Sequence, residues 1–243
     1  MNNFSKETIV SLIDLTTLND TDTDTVVIDL CKKASTPMGN TAAICIYKQF
    51  INIAKPVLNK DIPIATVINF PKGEYLLKET LKELEYCLEV KADEVDLVMP
   101  YQLIAQGDYK KVEDFITEVK KNCHNTLLKV IIESGELKTE ENIKLASKIS
   151  INAGVDFIKT STGKVKVNAT LEAAKIMLNE IKASGTKCGF KAAGGVKTYE
   201  EAIPYLELAT EIMGQDFISP KTFRFGASSL LDNLLGKTNQ NNY

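Results

Sequence analysis

One histidine occurs in 243 residues, His124, within the polar segment KKNCHNTLL. Acid–base or triad chemistry built on imidazole therefore has almost nothing to work with, and His124 reads as a solvated loop residue. Five cysteines (Cys31, Cys45, Cys87, Cys123, Cys188) are scattered in odd number and without a CxxC pair. Such a pattern fits reduced thiols in a cytoplasmic protein, not a disulfide framework. No His, Cys and carboxylate spacing offers a metal site, so neither metal nor cofactor is expected. No window approaches about eighteen unbroken apolar residues, and the start MNNFSKETIVSLID lacks a basic stretch followed by an apolar one. Membrane spanning and secretion are both excluded as expectations. The net charge of -3 provides no general attraction for nucleic acid. No Gly/Ser/Pro-rich linker or low-complexity block interrupts the chain, which is expected to form one domain over 1–243 with a short flexible tail at 236–243.

What is present is alternation. Short apolar runs recur at 11–16 (SLIDLT), 42–47 (AAICIY), 64–70 (IATVINF), 94–100 (EVDLVMP), 128–134 (LKVIIES), 156–162 (DFIKTST), 188–194 (CGFKAAG) and 223–229 (FRFGASS). Between them lie amphipathic stretches such as 74–90, 109–123 and 170–184, with apolar residues at three- and four-residue spacing. Eight strand–helix units in this length predict a (β/α)8 TIM barrel. An open doubly wound sheet is the alternative, disfavoured because the glycine-rich turns come late in the chain.

Strands of a parallel sheet are covered on both faces and should be apolar throughout. Here Asp14, Asp96, Lys129 with Glu133, Lys159 and Lys191 break that rule. Taken singly, each could be a strand-end residue wetted by a loop or held in an isolated ion pair. In a closed barrel, however, inward positions from all strands converge, and these charges would meet in one lumen. Lysines without histidine point to amine chemistry. A lysine attacks a carbonyl only when neutral, and burial or a neighbouring cation lowers its pKa toward that state.

Three small-residue turns follow the last three runs: STGK (161–164), AGGVK (193–197) and GASSLLDNLL (226–235). Individually they could be ordinary turn and N-cap residues. At consecutive strand ends, with Lys164 and Lys197 beside them, they suggest a phosphate cup.

The segments DLTTLND, GNTAAICIY, ADEVDLVMPY, LLKVIIESGEL, GVDFIKTSTGK, GFKAAGG and FRFGASSLL resemble the deoxyribose-phosphate aldolase family of bacterial type. The resemblance implies a class I aldolase that cleaves 2-deoxy-D-ribose 5-phosphate reversibly to acetaldehyde and D-glyceraldehyde 3-phosphate without a cofactor. It implies Lys159 as the Schiff-base lysine, Lys191 as the second lysine that lowers its pKa, and Asp96 as the proton-relaying carboxylate. Asp14 and Lys129 line the substrate site by the same likeness. Thr162 is a further substrate-binding residue, and Gly163, Lys164, Gly194, Gly195, Val196, Lys197, Gly226, Ser228 and Ser229 then form the phosphate cup. Relatives often carry proline where Ala192 stands and arginine where Lys197 stands; lysine keeps the charge but loses the fork geometry. Tyr243 is expected to fold over the site and assist proton transfer, as relatives of this type also end in tyrosine. Cys45 is expected as packing in the lumen. A homodimer and phosphosugar and aldehyde substrates are further implications. Rival readings are another lysine aldolase on the same barrel, of transaldolase or keto-acid type, or a phosphosugar-binding barrel without catalysis.

Overall fold

The computed structural model describes residues 4–237, so Tyr243 lies outside the described residues. Eight parallel strands close into a barrel: β1 (Ile13–Thr16), β2 (Ala43–Cys45), β3 (Ile64–Ile68), β4 (Glu94–Val98), β5 (Leu127–Ile131), β6 (Phe157–Lys159), β7 (Gly189–Ala193) and β8 (Phe223–Ala227). Each pairs with the next, and β1 completes the ring against β8 with Asp14 opposite Gly226. The helices that follow the strands are α1 (Asp24–Lys33), α2 (Ile51–Ala54), α3 (Leu77–Glu89), α4 (Tyr109–Asn122), α5 (Glu140–Asn152), α6 (Leu171–Ser184), α7 (Tyr199–Met213) and α8 (Leu230–Leu234). This is the (β/α)8 barrel expected from the alternation.

Helix starts are written locally. Thr23, Thr139, Thr170 and Thr198 each accept a backbone N–H in the first turn of α1, α5, α6 and α7, and Glu201 completes a capping box with Thr198. Each such cap stabilises by about 1 kcal/mol. The main core lies between strands and helices. Val95 and Leu97 of β4, Leu128 and Val130 of β5, Ile158 of β6 and Phe190 of β7 face outward into it. A separate small cluster of Leu18, Cys45, Ala65 and Val67 forms apart from it.

Strands are shorter than the apolar runs that mark them. The run 128–134 leaves the ladder after Ile131, because Glu133 takes a left-handed backbone, φ 54. Glu133 therefore sits beyond the strand end, not within the strand below it. At the other end of the chain, Gly236 and Lys237, expected to open a flexible tail, still donate backbone hydrogen bonds to Asn233 and Asp232.

Candidate active site

Register places the inward-facing charges side by side. Asp96 on β4 pairs with Lys129 on β5, while Lys159, Lys191 and Arg224 fall next to one another on β6, β7 and β8. Three adjacent cations would repel strongly unless carboxylates met them across the lumen. They do. Asp96 Oδ1 accepts from Lys129 at 2.8 Å, and Asp96 Oδ2 accepts from both Lys159 at 2.7 Å and Lys191 at 2.8 Å. Asp14 takes Lys191 on one oxygen and Arg224 on the other, each at 2.5 Å. Glu94 completes the network below, 2.5 Å from Lys129 and 3.3 Å from Arg224. All seven side chains are buried.

These contacts join four cations to three carboxylates, an excess of one positive charge. A neutral Lys159 removes that excess. The electrostatics agree: burial above all, aided by the Lys191 ammonium, brings Lys159 below the ordinary lysine value despite the pull of Asp96. Burial opposes charge on Lys191 too, but Asp14 and Asp96 outweigh it and hold that amine above the ordinary value. Burial would raise Asp96 as well, yet Lys129, Lys159 and Lys191 together keep it well below the ordinary carboxylate value. One lysine is thus poised to give up its proton, next to an ionised carboxylate and a charged neighbour.

Above this network lies a cavity of about 300 Å³ at the C-terminal ends of the strands, where (β/α)8 barrels carry their sites. Its walls include Thr162, Gly163 and Lys164 from the turn after β6, Gly194 to Lys197 after β7, and Gly226, Ser228 and Ser229 around the end of β8. Thr162 and all nine residues expected in a phosphate cup line this one space. Gly194 holds φ 79, and a Cβ there would lie 2.7 Å from Asn168 Cβ, so only glycine fits the turn against its neighbour. Lys159 is the member of the ionic network that reaches the cavity wall; Lys129, Lys191, Asp14 and Asp96 lie beneath it. A larger hollow of about 830 Å³ on the outside of α3 includes His124 but none of these groups.

Cys45 belongs to the small apolar cluster, and its fully buried thiol is raised by burial, with a contribution from Asp96, to about 11. That is the packing role expected of it. Two network members, Glu94 and Arg224, were not singled out from the sequence. The signal was present: each lies two residues from an inward position, Asp96 and Gly226, and so shares its face. The cavity also takes Thr16 from the end of β1 and Thr17, Leu18 and Asn19 from the loop after it, which barrel closure brings beside β8. Among the described residues, no three His, Cys, Asp or Glu side chains are grouped to hold a metal ion. No helix among them is long and apolar enough to cross a membrane.

Closed barrel, converging lysines and carboxylates, and a small-residue cup at the strand ends define a (β/α)8 enzyme with its site in the usual place. The chain belongs to the DeoC/LacD family of aldolases, whose family model matches residues 8–235. It is therefore a carbon–carbon lyase of the aldolase class. Among solved structures, it is similar to a candidate deoxyribose-phosphate aldolase from Coccidioides immitis, with 25% identity and a TM-score of 0.84 over 94% of this chain and 86% of that one. It is also similar to an aldolase named QR15, with 26% identity and a TM-score of 0.80 over 94% and 96% of the two chains. The tetrameric deoxyribose phosphate aldolase of Aeropyrum pernix shares the fold at 24% identity, TM-score 0.76, over 96% and 92%.

Proposed function

We propose that this aldolase cleaves 2-deoxy-D-ribose 5-phosphate reversibly to acetaldehyde and D-glyceraldehyde 3-phosphate through a Schiff base on Lys159. The observation that carries the reading is that, of the four cations in the buried network, Lys159 alone lines the cavity. It is also the one held below its ordinary pKa. Fold and family, with similar structures described as deoxyribose-phosphate aldolases, support the substrate.

Neutral Lys159 adds to C1 of the open-chain aldehyde, and loss of water leaves an iminium. The bond that breaks is C2–C3, because the two-carbon product carries C1 and C2. The C3 hydroxyl loses its proton as C2–C3 cleaves; the bonding electrons pass into the iminium, giving an enamine and glyceraldehyde phosphate. Protonation of the enamine at C2 and hydrolysis then free acetaldehyde and restore the amine. Asp96, between Lys159 and Lys191, is positioned to pass protons through water. The turns Thr162–Lys164, Gly194–Lys197 and Gly226–Ser229 take the phosphate with those backbone N–H groups that are not already donated within the chain, as the Thr162 N–H is to Glu133, and with Lys164 and Lys197. Asp14 and Lys129 hold the floor of the site. Tyr243 is proposed to assist proton transfer at the enamine carbon.

The chain is read as one catalytic domain that assembles as a homodimer in the cytoplasm and serves deoxynucleoside breakdown. The five cysteines support a reducing compartment, since all are buried and none is in a disulfide. Release of acetaldehyde from deoxyribose 5-phosphate, with no cleavage of keto-acid aldols, is the expected outcome of a product assay. Cleavage of the keto-acid substrate alone would overturn the assignment.

A further inference from the structure

Four carboxylates are buried among the described residues, and three of them, Asp14, Glu94 and Asp96, are ion-paired. Glu133 is the fourth, fully buried and without an ion-pair partner among those residues. It also holds a left-handed backbone, φ 54 and ψ 59, which non-glycine side chains adopt at a cost. A buried charge and a strained backbone at one position call for a compensating purpose.

The contacts of its neighbourhood show one. Both carboxylate oxygens of Glu133 accept the backbone N–H of Thr162, at 3.2 and 3.3 Å. On either side, Ile132 N donates to Lys159 O at 3.0 Å, and Ser134 N donates to Thr160 O at 2.9 Å. Gly135 follows, and a Cβ there would lie 2.0 Å from Val167 O, so this backbone is pressed directly against the far leg of the β6 turn. Four consecutive residues after β5 thus grip the segment from Lys159 to Val167. Asn168, next in that segment, is packed behind Gly194 of the second phosphate turn, and Ala169 N donates to Gly194 O. Burial pushes the Glu133 carboxyl above the ordinary glutamate value, while hydrogen bonding from the Thr162 side chain and N–H, and the nearby Lys159, draw it back.

We propose that Glu133 is a positioning residue: by holding the Thr162 N–H, its side chain sets the turn Thr162–Lys164 against the strand end that carries Lys159. Phosphate grip and amine are thereby fixed in one frame, although Glu133 itself does not line the cavity. The proposal rests on the reading of that cavity as a phosphate site.

The test uses the full chain with Glu133→Ala, Glu133→Asp and Glu133→Gln. Inorganic phosphate is titrated by calorimetry, and borohydride trapping with acetaldehyde is run beside it. Aspartate keeps the charge and tolerates the backbone but is too short to reach Thr162 N; glutamine loses the charge and keeps an accepting oxygen. The expected result is phosphate affinity weakened about tenfold in the Ala and Asp variants and within about threefold of the parent in the Gln variant, as for loss and retention of one buried hydrogen bond. Should the Ala variant fail to fold, the Asp variant carries the comparison. Phosphate affinity unchanged in the Asp variant, or a Gln variant as weak as the Asp variant, overturns the proposal, as does a parent chain that binds no phosphate. Absence of a trapped adduct in the parent, with the phosphate trend intact, defeats the Schiff-base reaction and leaves the positioning role standing.

Discussion

Lys159 and Lys191 are register partners on adjacent strands and donate to the same oxygen, Asp96 Oδ2, at 2.7 and 2.8 Å. The sharing divides unequally. Lys191 has a second carboxylate, Asp14, at 2.5 Å, and stays charged, whereas Lys159 has only the shared one and feels its neighbour's charge. The pair therefore splits into a nucleophile and a cation that keeps it neutral.

Removing that cation moves the nucleophile's titration. Lys191→Met takes away a positive charge and leaves Asp96 freer to hold the Lys159 ammonium, so the Lys159 pKa rises. Adduct formation, which requires the neutral amine, is expected to shift its midpoint to higher pH. The check is the rate of borohydride-trappable adduct against pH; a midpoint unmoved or lowered contradicts the division of roles.

The carboxylates make the site acid-sensitive. Asp14 and Asp96 are fully buried, which by itself would raise them, but their cationic partners hold both below the ordinary value of 3.8. Their contribution to stability is present above that value and is lost as pH falls through the lowered folded-state values. Glu133, raised by burial, works in the opposite sense near its ordinary value of 4.5. Urea midpoints are expected to fall steeply below about pH 4. Asp14→Asn, which leaves buried Lys191 and Arg224 short of a partner, is expected to cost about 3–5 kcal/mol at neutral pH.

Phosphate recognition separates from carbon chemistry. Lys164 and Lys197 line the cavity but stand outside the buried network. Replacing Lys197 by alanine is expected to raise KM for the phosphorylated sugar about tenfold, the worth of one charge-assisted hydrogen bond. Turnover of unphosphorylated deoxyribose should be unchanged, and Lys197→Arg should restore the grip through its fork geometry. Equal loss on both sugars contradicts the assignment.

Tyr243 is tested by deleting it alone. The expected outcome is slower turnover together with slower exchange of solvent protons into acetaldehyde, with phosphate affinity kept. Unchanged turnover and exchange remove the residue from the mechanism.

The barrel and most of the site were legible in the sequence because strands buried on both faces should be apolar. Asp14, Asp96, Lys129, Lys159 and Lys191 each stood out against that expectation. Glu94 and Arg224 obeyed the same alternation but lie deeper, where they close the network and do not reach the ligand space. Glu133 was legible as a charge but not as a turn: the β-branched run before it favours a strand, and the left-handed backbone depends on contacts to Thr160, Thr162 and Val167 across the next strand. Likewise the contribution of Thr16 to Asn19 depends on closure of β1 against β8, which no local pattern encodes.

The central claim is that Lys159 is a neutral nucleophile. Its most direct test is peptide mass spectrometry after reduction with borohydride in the presence of acetaldehyde, or of deoxyribose 5-phosphate, in buffer containing EDTA. The account predicts a reduced adduct on the peptide carrying Lys159, abolished in Lys159→Met together with a fall in turnover of at least ~10³-fold. No adduct, or one confined to exposed lysines, contradicts it and makes Lys159 a structural partner of Asp96.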